Sequence, residues 1–216
     1  MILLNTTETN NQYGIDVMGS WVEVGMVLAA IGVGVFLAIP AIKSIINKRR
    51  TTYPCSQKFR KTHSRIHEFL TEIRVKMHAD RASVLQFHNG GKFLDGSSVK
   101  KFSLTHESCV VGISESMALR QNILASTFVE ALEHLSKDDP TIEATSNLHD
   151  SHFKRHLEAN HTLVFSLVPI KDVRGVLTTG FLLVEWCNWD KAELINDDKI
   201  LVEIPQYARH IEGQLY

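Results

Sequence analysis

The sequence predicts an α+β domain that follows one N-terminal transmembrane helix. The first observation is an uncharged run from Val24 to Ile42. Its length of about 19 residues, at ~1.5 Å per residue, approaches the roughly 30 Å thickness of a bilayer's hydrocarbon core. The second observation is the alternation of helical and strand periodicity in the residues that follow. About 165 residues remain after the run, which is enough for one hydrophobic core and too few for two domains.

Four segments follow from these patterns. We expect a short extracytoplasmic tail at residues 1–20, a transmembrane helix at 21–46, a basic juxtamembrane linker at 47–57 and one globular domain at 58–216. A cleaved signal peptide is the alternative for the apolar run. Such a peptide would need a basic region before a shorter apolar core, and the residues before this run are acidic.

The charges on the two sides of the run predict its orientation. No Lys or Arg precedes it, whereas Lys43, Lys48, Arg49 and Arg50 follow it closely. Basic residues stay on the cytoplasmic side of a membrane, so the domain of this single-pass protein should be cytoplasmic. The basic stretch should contact anionic headgroups of the lipid bilayer. We expect no nucleic-acid partner, because no basic surface interleaved with aromatic residues is visible.

The first half of the domain is predicted to contain a helix, two strands and a second helix. Lys58–Ala79 has apolar residues at alternating spacings of four and three, a stripe that either packs on a sheet or forms a dimeric coiled coil. Ala82–Phe87 and Lys101–Val111 have strand composition, with a turn signal at His88–Gly91. A helix is expected from Ser114 to Leu135.

The second half is predicted to end in a hairpin and a helix. Residues 141–160 should form loop or short helix. Thr162–Ile170 and Val176–Trp186 read as two strands joined by a turn at Asp172–Gly175. Asn196 or Asp197 should cap the last helix. The apolar residues expected to face inward from it are Ile200, Leu201, Ile204, Ala208, Ile211 and Leu215.

This order of elements resembles the GAF domain, a relative of the PAS domain. The hairpin Leu163–Glu185, with Pro169 near a strand end and Arg174 and Gly175 at its tip, is the most similar stretch. The segment ADRASVLQFHNG (Ala79–Gly90) resembles the first strand of that family, and the resemblance covers roughly residues 58 to 214. It implies an antiparallel sheet with the first and last helices on one face and a ligand pocket on the other. The NKFDE residue set of cyclic-nucleotide-binding members is missing, and a cysteine arrangement for attaching a bilin is not evident.

The resemblance implies that the pocket is lined by residues after the first strand and along the second. The candidate ligand-binding residues are His88, Asn89, Phe93, Phe102, Ser103, His106, Glu107 and Ser108. Strand alternation predicts Phe102, Leu104 and His106 on one face. An imidazole beside the Glu107 carboxylate could bind a polar ligand near neutral pH. Alternatively, His106 points inward to a backbone partner and Glu107 points to water.

A second candidate site is a group of histidines. His149, His152 and His156 are separated by three and four residues, so a helix would place them on one face. Neutral imidazoles at such spacings can share a zinc ion. A solvated polar loop explains the same residues. No cofactor can be named from the sequence.

Three classes of function remain open. The first is a membrane-anchored sensory, regulatory or scaffolding module that binds a small molecule or protein and signals through pairing of its membrane-proximal helices. The apolar stripe would then predict a homodimer. The second is a phage holin-like protein controlling host lysis, which the chain resembles in its order of parts and which requires the domain outside the membrane. An enzyme is not expected, because the sequence shows no paired carboxylates, nucleophile triad or nucleotide loop. With no output module after the GAF-like domain, signalling is expected to run through dimerisation or a partner.

Overall fold

A computed structural model of the protein describes residues 56–137 and 140–216, together with scattered residues between 23 and 44. The predicted tail and most of the predicted transmembrane helix and linker lie outside the described residues. Within the described part of the chain, no helix has both the length and the apolar character needed to cross a membrane. The chain divides into two compact units, Met1–Phe59 and Arg60–Tyr216, and the second unit contains the whole sheet.

The described elements confirm the α+β class, and they follow one another in a simple order. They are α1 (Gln57–Lys76), β1 (Arg81–Lys92), β2 (Ser98–Cys109), β3 (Ile123–Leu124), α2 (Val129–Ser136), β4 (Thr141–Ala144), α3 (His152–Ala159), β5 (Val164–Lys171), β6 (Thr178–Trp186), α4 (Trp189–Ala192) and α5 (Asp197–Leu215). Short 3₁₀ turns at Ala125–Thr127 and Thr145–Asn147 precede α2 and α3. The side chain of Asn196 accepts a hydrogen bond from the Lys199 backbone N–H, as expected for the cap of the last helix.

The six strands form one antiparallel sheet in the order β3-β2-β1-β6-β5-β4. Strands β1 and β6, which are far apart in the sequence, are neighbours at its centre, with Arg81 opposite Glu185 and Gln86 opposite Gly180. The predicted hairpin is confirmed as β5 and β6, with Gly175 at a φ of 69° in its turn. Glycine suits that position because a side chain is strained at positive φ.

One face of the sheet is covered by the first and last long helices. The buried residues of this core come from α1, α5, β1, β5 and β6 and include Ile66, Leu70, Ile73, Val84, Ile170, Val184, Trp186, Ile204 and Ile211. The apolar stripe of α1 is therefore used against the sheet, since Ile66, Leu70 and Ile73 are fully buried. A homodimer would consequently need another surface than this stripe.

The opposite face is covered by α2, α3 and the 3₁₀ turns. Aromatic rings dominate it, as in the edge-to-face contacts of Phe102 with Phe128 at 5.0 Å between ring centroids and of Phe153 with Phe165 at 5.3 Å. The remaining buried residues here include Leu85, Leu104, Leu135, Leu148, Leu157, Leu167, Phe181 and Leu183. The alternating strands thus contribute apolar side chains to two separate cores, one on each face of the sheet.

Two predicted boundaries in the first half are wrong. The turn expected at His88–Gly91 lies inside β1, because an irregularity between Asn89 and Lys92 lets the pairing continue to the actual turn at residues 93–97. The predicted helix Ser114–Leu135 exists only in its second half, as α2. Its first half is irregular and includes Asn122 at a φ of 56°, which is outside the helical region.

The second half departs from prediction at two further points. Residues 141–160 contain a strand, β4, in addition to the short helix α3. Leu201 is 38% exposed rather than facing the core, whereas Ile200, Ile204, Ala208 and Ile211 are buried as predicted. Helix α5 continues through Pro205.

A β-bulge reverses the predicted faces at the end of β2. Val84 pairs with His106 while its neighbour Leu85 pairs with Leu104, so Thr105 is an extra residue on β2. Strict alternation would place His106 beside Phe102 and Leu104, and that prediction is wrong. His106 instead packs under α1, and Glu107 points to the opposite face. A one-residue shift reverses the face of every following side chain.

Candidate functional site

The most highly charged buried site lies on the aromatic face of the sheet and is centred on Glu185. Both oxygens of this β6 carboxylate accept hydrogen bonds from Arg120, at 2.7 Å from Nη1 and 2.7 Å from Nη2. The Thr162 hydroxyl donates a further bond of 2.7 Å. Glu185 and Arg120 are both fully buried. A two-pronged arginine–carboxylate pair of this kind is short, directional and strong.

A second arginine belongs to the same buried site. Arg81, opposite Glu185 on β1, contacts the same carboxylate through Nη1 at 3.3 Å and donates from Nη2 to the Ser114 carbonyl at 2.7 Å. Its Nε is 3.4 Å from Glu107 Oε1. Glu107 also accepts three bonds from Ser116: the backbone N–H donates to both carboxylate oxygens and the hydroxyl donates to Oε1. Two arginines and two carboxylates thus form the buried ionic cluster, which is charge-balanced.

Local structure brings these residues together from distant parts of the sequence. The Thr105 bulge turns Glu107 towards the cluster. The irregular segment before β3 runs along the edge of β2, where the Leu104 N–H donates to the Arg120 carbonyl at 2.7 Å. This segment carries Arg120 and Ser116 to the sheet. A regular helix at this point would follow its own hydrogen-bond pattern and would lose that strand contact.

His156 connects the cluster to α3. Its Nε2 accepts a hydrogen bond of 2.9 Å from Arg120 Nε, so the ring proton belongs on Nδ1. Burial first, and then the positive charge of Arg120, lower the pKa of His156 to about 4. The ring is therefore neutral at physiological pH, and it holds Arg120 in place rather than adding a third positive charge.

The ionic cluster keeps the Glu185 carboxylate ionised. Burial by itself would raise the pKa of Glu185, but the charge and hydrogen bonds of Arg120, together with Arg81 and Thr162, lower it to about 2. The burial of Arg81 works against its charged form, yet Glu185 raises its pKa overall. Both partners are held in their charged states, as hydrogen-bonded buried pairs are.

Two cysteines lie beside the cluster. Cys109 and Cys187 are both free thiols. Burial, followed by the charge of Glu185, raises the pKa of Cys187 to about 11, and burial with Glu107 raises the pKa of Cys109. A thiolate is the reactive form of cysteine, so neither residue is activated as a nucleophile.

The structure brings His88 and Ser103 together but separates the other predicted ligand-binding residues from one another. His88 bonds Ser103 at 2.9 Å, while Asn89 Oδ1 accepts from Lys100 nearby on the sheet. Phe102 is buried in the aromatic core and Phe93 is 58% exposed in the β1–β2 turn. Ser108 contacts Thr71 and Arg74 on α1.

His106 and Glu107 are separated by the sheet itself. His106 stacks on His63 with 4.8 Å between ring centroids, and their facing nitrogens, Nε2 and Nδ1, are 2.6 Å apart. His67 contacts the edge of the same ring. Burial, and then the neighbouring His63 and His67, lower the pKa of His106 to about 4. His106 is thus a buried neutral residue with a histidine partner, and Glu107 belongs to the ionic cluster.

The predicted histidine group is also dispersed. His149 and His152 are exposed, whereas His156 is half-buried with its Nε2 bonded to Arg120. Among the residues that the structure describes, no three His, Cys, Asp or Glu side chains are grouped so as to hold a metal ion. Zinc binding by these histidines stays a prediction from spacing alone.

An open groove lies between the two long helices of the other face. It has a volume of about 540 Å³ and is lined by Arg65, Phe69, Glu72, Lys76, Glu203, Gln206, Tyr207 and His210. The Phe69 and His210 rings stack across it at 5.5 Å, and Lys76 Nζ lies 5.3 Å from the Tyr207 ring centroid. This α1–α5 groove presents aromatic faces together with both signs of charge.

Comparisons with known proteins give structural likenesses only. No family model and no curated protein matches the sequence. The phycocyanobilin-bound GAF domain of a cyanobacterial phytochrome matches with a TM-score of 0.49 at 18% identity, over 71% of this chain and 85% of that one. GAF3 of a Synechocystis sp. PCC6803 protein gives 0.48 at 16% identity, over 72% and 93%. The PixJ GAF domain of Thermosynechococcus elongatus gives 0.46 at 17% identity, over 72% and 88%. At these TM-scores the likenesses carry no argument about what this protein binds.

Sequence reasoning missed the ionic cluster because its members are far apart in the chain. Arg81, Arg120 and Glu185 have no shared spacing, and each stands alone in its own segment. One signal was present: Glu185 interrupts the apolar strand predicted at Val176–Trp186. Charged residues in such positions are expected to be paired.

Proposed function

We propose that this chain is a membrane-anchored, GAF-like sensory or regulatory module that acts by binding a small molecule or protein partner, without catalysis. The observation that carries the proposal is the position of α1. It is the first element after the predicted anchor, and its apolar residues are buried in the same core as β1, β6 and α5. A displacement of the sheet or of α5 would therefore move α1. Because α1 follows the predicted anchor in the chain, we expect that movement to be transmitted to the anchor.

The α1–α5 groove is where such a partner could act on both helices at once. Lys199 Nζ of α5 donates to the Lys76 carbonyl of α1 at 3.2 Å, and Phe69 stacks on His210 further along. A bound molecule that separates or rotates these helices changes contacts on both sides of the groove. A homodimer is compatible with this proposal if it uses the outward side of α1, where Val75 is 61% exposed.

The chemistry of the buried cluster supports a role without catalysis. Each charge in it has a partner of opposite sign, and the neighbouring thiols have raised pKa values. A catalytic site instead holds an activated nucleophile or a general base within hydrogen-bonding distance of the substrate. We therefore assign the cluster to holding α3, β6 and the Ser114–Arg120 segment in one arrangement.

Membrane topology tests the proposal directly. A reporter fused after Tyr216, whose side chain is 54% exposed, should be active only on the cytoplasmic side of intact cells. That result supports a cytoplasmic regulatory domain and justifies a ligand search by thermal shift. Activity on the outside would contradict the charge-based orientation, and the holin-like alternative would take its place.

A further inference from the structure

The β1–β2 hairpin projects beyond the rest of the sheet. β1 pairs with β6 only as far as Gln86, whereas its pairing with β2 continues to Lys92. Residues 88–100 therefore form a two-stranded extension, here called the β1–β2 arm. Its tip residues Phe93 and Leu94 are 58% and 110% exposed. A hairpin of two strands has little apolar surface of its own to bury them against.

The arm is positively charged. Its lysines are Lys92 and Lys100, with Lys101 at its base, and the ion pairs of the described residues include none of the three. Lys100 Nζ donates to Asn89 Oδ1 at 3.1 Å, which leaves its charge uncompensated. The one acid of the arm, Asp95, accepts two hydrogen bonds inside the tip turn. The arm thus combines an apolar tip with an excess of positive charge.

A surface of the opposite charge follows β6. It is formed by α4 and the start of α5 and is here called the α4–α5 surface. Its exposed acidic residues are Asp190, Glu193, Asp197 and Asp198. No ion pair within the described part of the chain uses any of these four carboxylates. In the same stretch, Trp189 is 67% exposed and Leu194 is 70% exposed.

The lysines near this surface leave it with an excess of negative charge. Lys191 Nζ pairs with the buried carboxylate of Asp80. Lys199 Nζ donates to the Lys76 carbonyl at 3.2 Å. Lys137 shares a groove of about 380 Å³ with Asp197. Four exposed carboxylates are therefore set against the charges of Lys199 and Lys137, because the charge of Lys191 is already matched by Asp80.

The two surfaces lie at opposite ends of β1. Arg81, at the start of β1, is opposite Glu185 near the end of β6, so the α4–α5 surface follows at that end. The tip of the arm comes after Lys92, at the other end of the same strand. A strand of this length spans about 40 Å. The arm of one copy therefore cannot reach its own α4–α5 surface, and the two surfaces can meet only between copies.

We propose that this chain associates head to tail, with the β1–β2 arm of one copy docked on the α4–α5 surface of the next. The exposed apolar residues of both surfaces then form the centre of the contact, and lysines face carboxylates around it, as at other protein interfaces. Because the two surfaces differ, the contact repeats from copy to copy and builds a ring or a filament. The proposal goes beyond the proposed function and is independent of the membrane anchor.

The first test is the mass of the full chain in a mild non-ionic detergent, measured by light scattering over a range of concentrations. Head-to-tail contact predicts a series of species that grows with concentration and shrinks as salt screens the charges. Lys92→Glu with Lys100→Glu reverses the arm, and Asp190→Lys with Glu193→Lys reverses the α4–α5 surface. Each pair of substitutions should raise the concentration needed for association by more than about tenfold, because like charges then face each other.

Mixing the two variants is the decisive measurement. The acidic arm of the first then meets the basic surface of the second, and the unaltered surfaces of the two also match, so association should return. Its return also shows that both variants are folded. Lys61→Glu with Arg209→Glu makes the same change of net charge on α1 and α5 and should associate like the unsubstituted chain. A chain that stays at one mass at every concentration, variants that associate normally, a control that fails to associate, or a mixture without recovery would each overturn the proposal.

Discussion

At the scale of single residues, Glu185 is the group on which most buried polar contacts converge. Replacing it by Gln would leave Arg81 and Arg120 charged, buried and without the carboxylate that both contact. Breaking a buried pair from one side typically costs about 3–5 kcal/mol. We expect Glu185→Gln to lower the free energy of unfolding by that amount, as measured by urea titration.

A surface ion pair supplies the control for this measurement. Asp150 pairs with Arg155 at 2.8 Å, but both side chains are exposed. Asp150→Asn should change the free energy of unfolding by less than about 1 kcal/mol, since solvent screens such pairs. If Glu185→Gln lowers the free energy of unfolding as little as Asp150→Asn does, the ionic cluster does not contribute the stability assigned to it.

The lowered pKa of His106 predicts how the free energy of unfolding depends on pH. Its pKa falls from the ordinary 6.5 to about 4 in the folded protein, because of burial and the nearby His63 and His67. The unfolded chain then binds the proton more readily, so this contribution is fully present above pH 6.5 and is lost as the pH falls towards 4. The contribution should amount to about 3 kcal/mol, because each pKa unit of difference between the folded and unfolded protein is worth about 1.4 kcal/mol.

Unfolding measured between pH 7 and pH 4 checks this expectation. His106→Gln should flatten the pH dependence relative to the unsubstituted protein. The exposed His152→Gln serves as the control and should leave the slope unchanged. An unaltered slope in His106→Gln would show that another group, such as His156 with its pKa also lowered to about 4, accounts for the acid sensitivity.

At the scale of elements, the pairing of β1 with β6 depends on one glycine. A Cβ at Gly180 would lie 2.3 Å from the Leu85 carbonyl oxygen, and this obstacle is backbone that cannot rotate away. Gly180→Ala should therefore force the two central strands apart and cost several kcal/mol. Strand separation can be followed by hydrogen exchange of the β1 and β6 amides.

Gly213 in α5 is the matched control for that substitution. An added Cβ there meets nothing within 4 Å. Gly213→Ala should raise the free energy of unfolding by about 0.5–1 kcal/mol, because alanine loses less backbone entropy in a helix. Opposite signs for the two variants are the expected result, and a neutral Gly180→Ala would contradict the close approach at the sheet centre.

At the scale of the whole molecule, the central prediction is retention in the membrane by the apolar run. Ile31→Lys combined with Leu37→Lys places two charges near its middle, each costing about 2.5–3.5 kcal/mol in a bilayer-spanning helix. The unsubstituted protein should stay with the membrane fraction after an alkaline wash, and the double variant should be released. A Ser44→Lys chain, altered outside the run, should behave like the unsubstituted protein. Release of all three would remove the anchor from the proposed function.

Local patterns in the sequence were sufficient for the α+β class and for several of its elements. Alternation and turn residues predict the β5–β6 hairpin, and helical periodicity with an Asn cap predicts α5, because each signal resides in consecutive residues. The sequence left open whether the α1 stripe packs on a sheet or on a second chain. The tertiary structure decided this point, since the sheet supplies the apolar surface that buries Ile66 and Leu70.

The candidate site could not be predicted from the sequence alone. The helical and strand periodicity determined the α+β class of the domain, and the apolar run determined the predicted anchor. Only the tertiary structure decided which face His106 and Glu107 occupy, because a single extra residue at Thr105 shifts the register of β2. Only the pairing of β1 with β6 places Arg81 against Glu185, a residue 104 positions further along the chain. Long-range pairing of this kind depends on the packing of the whole domain, and no local pattern of residues encodes it.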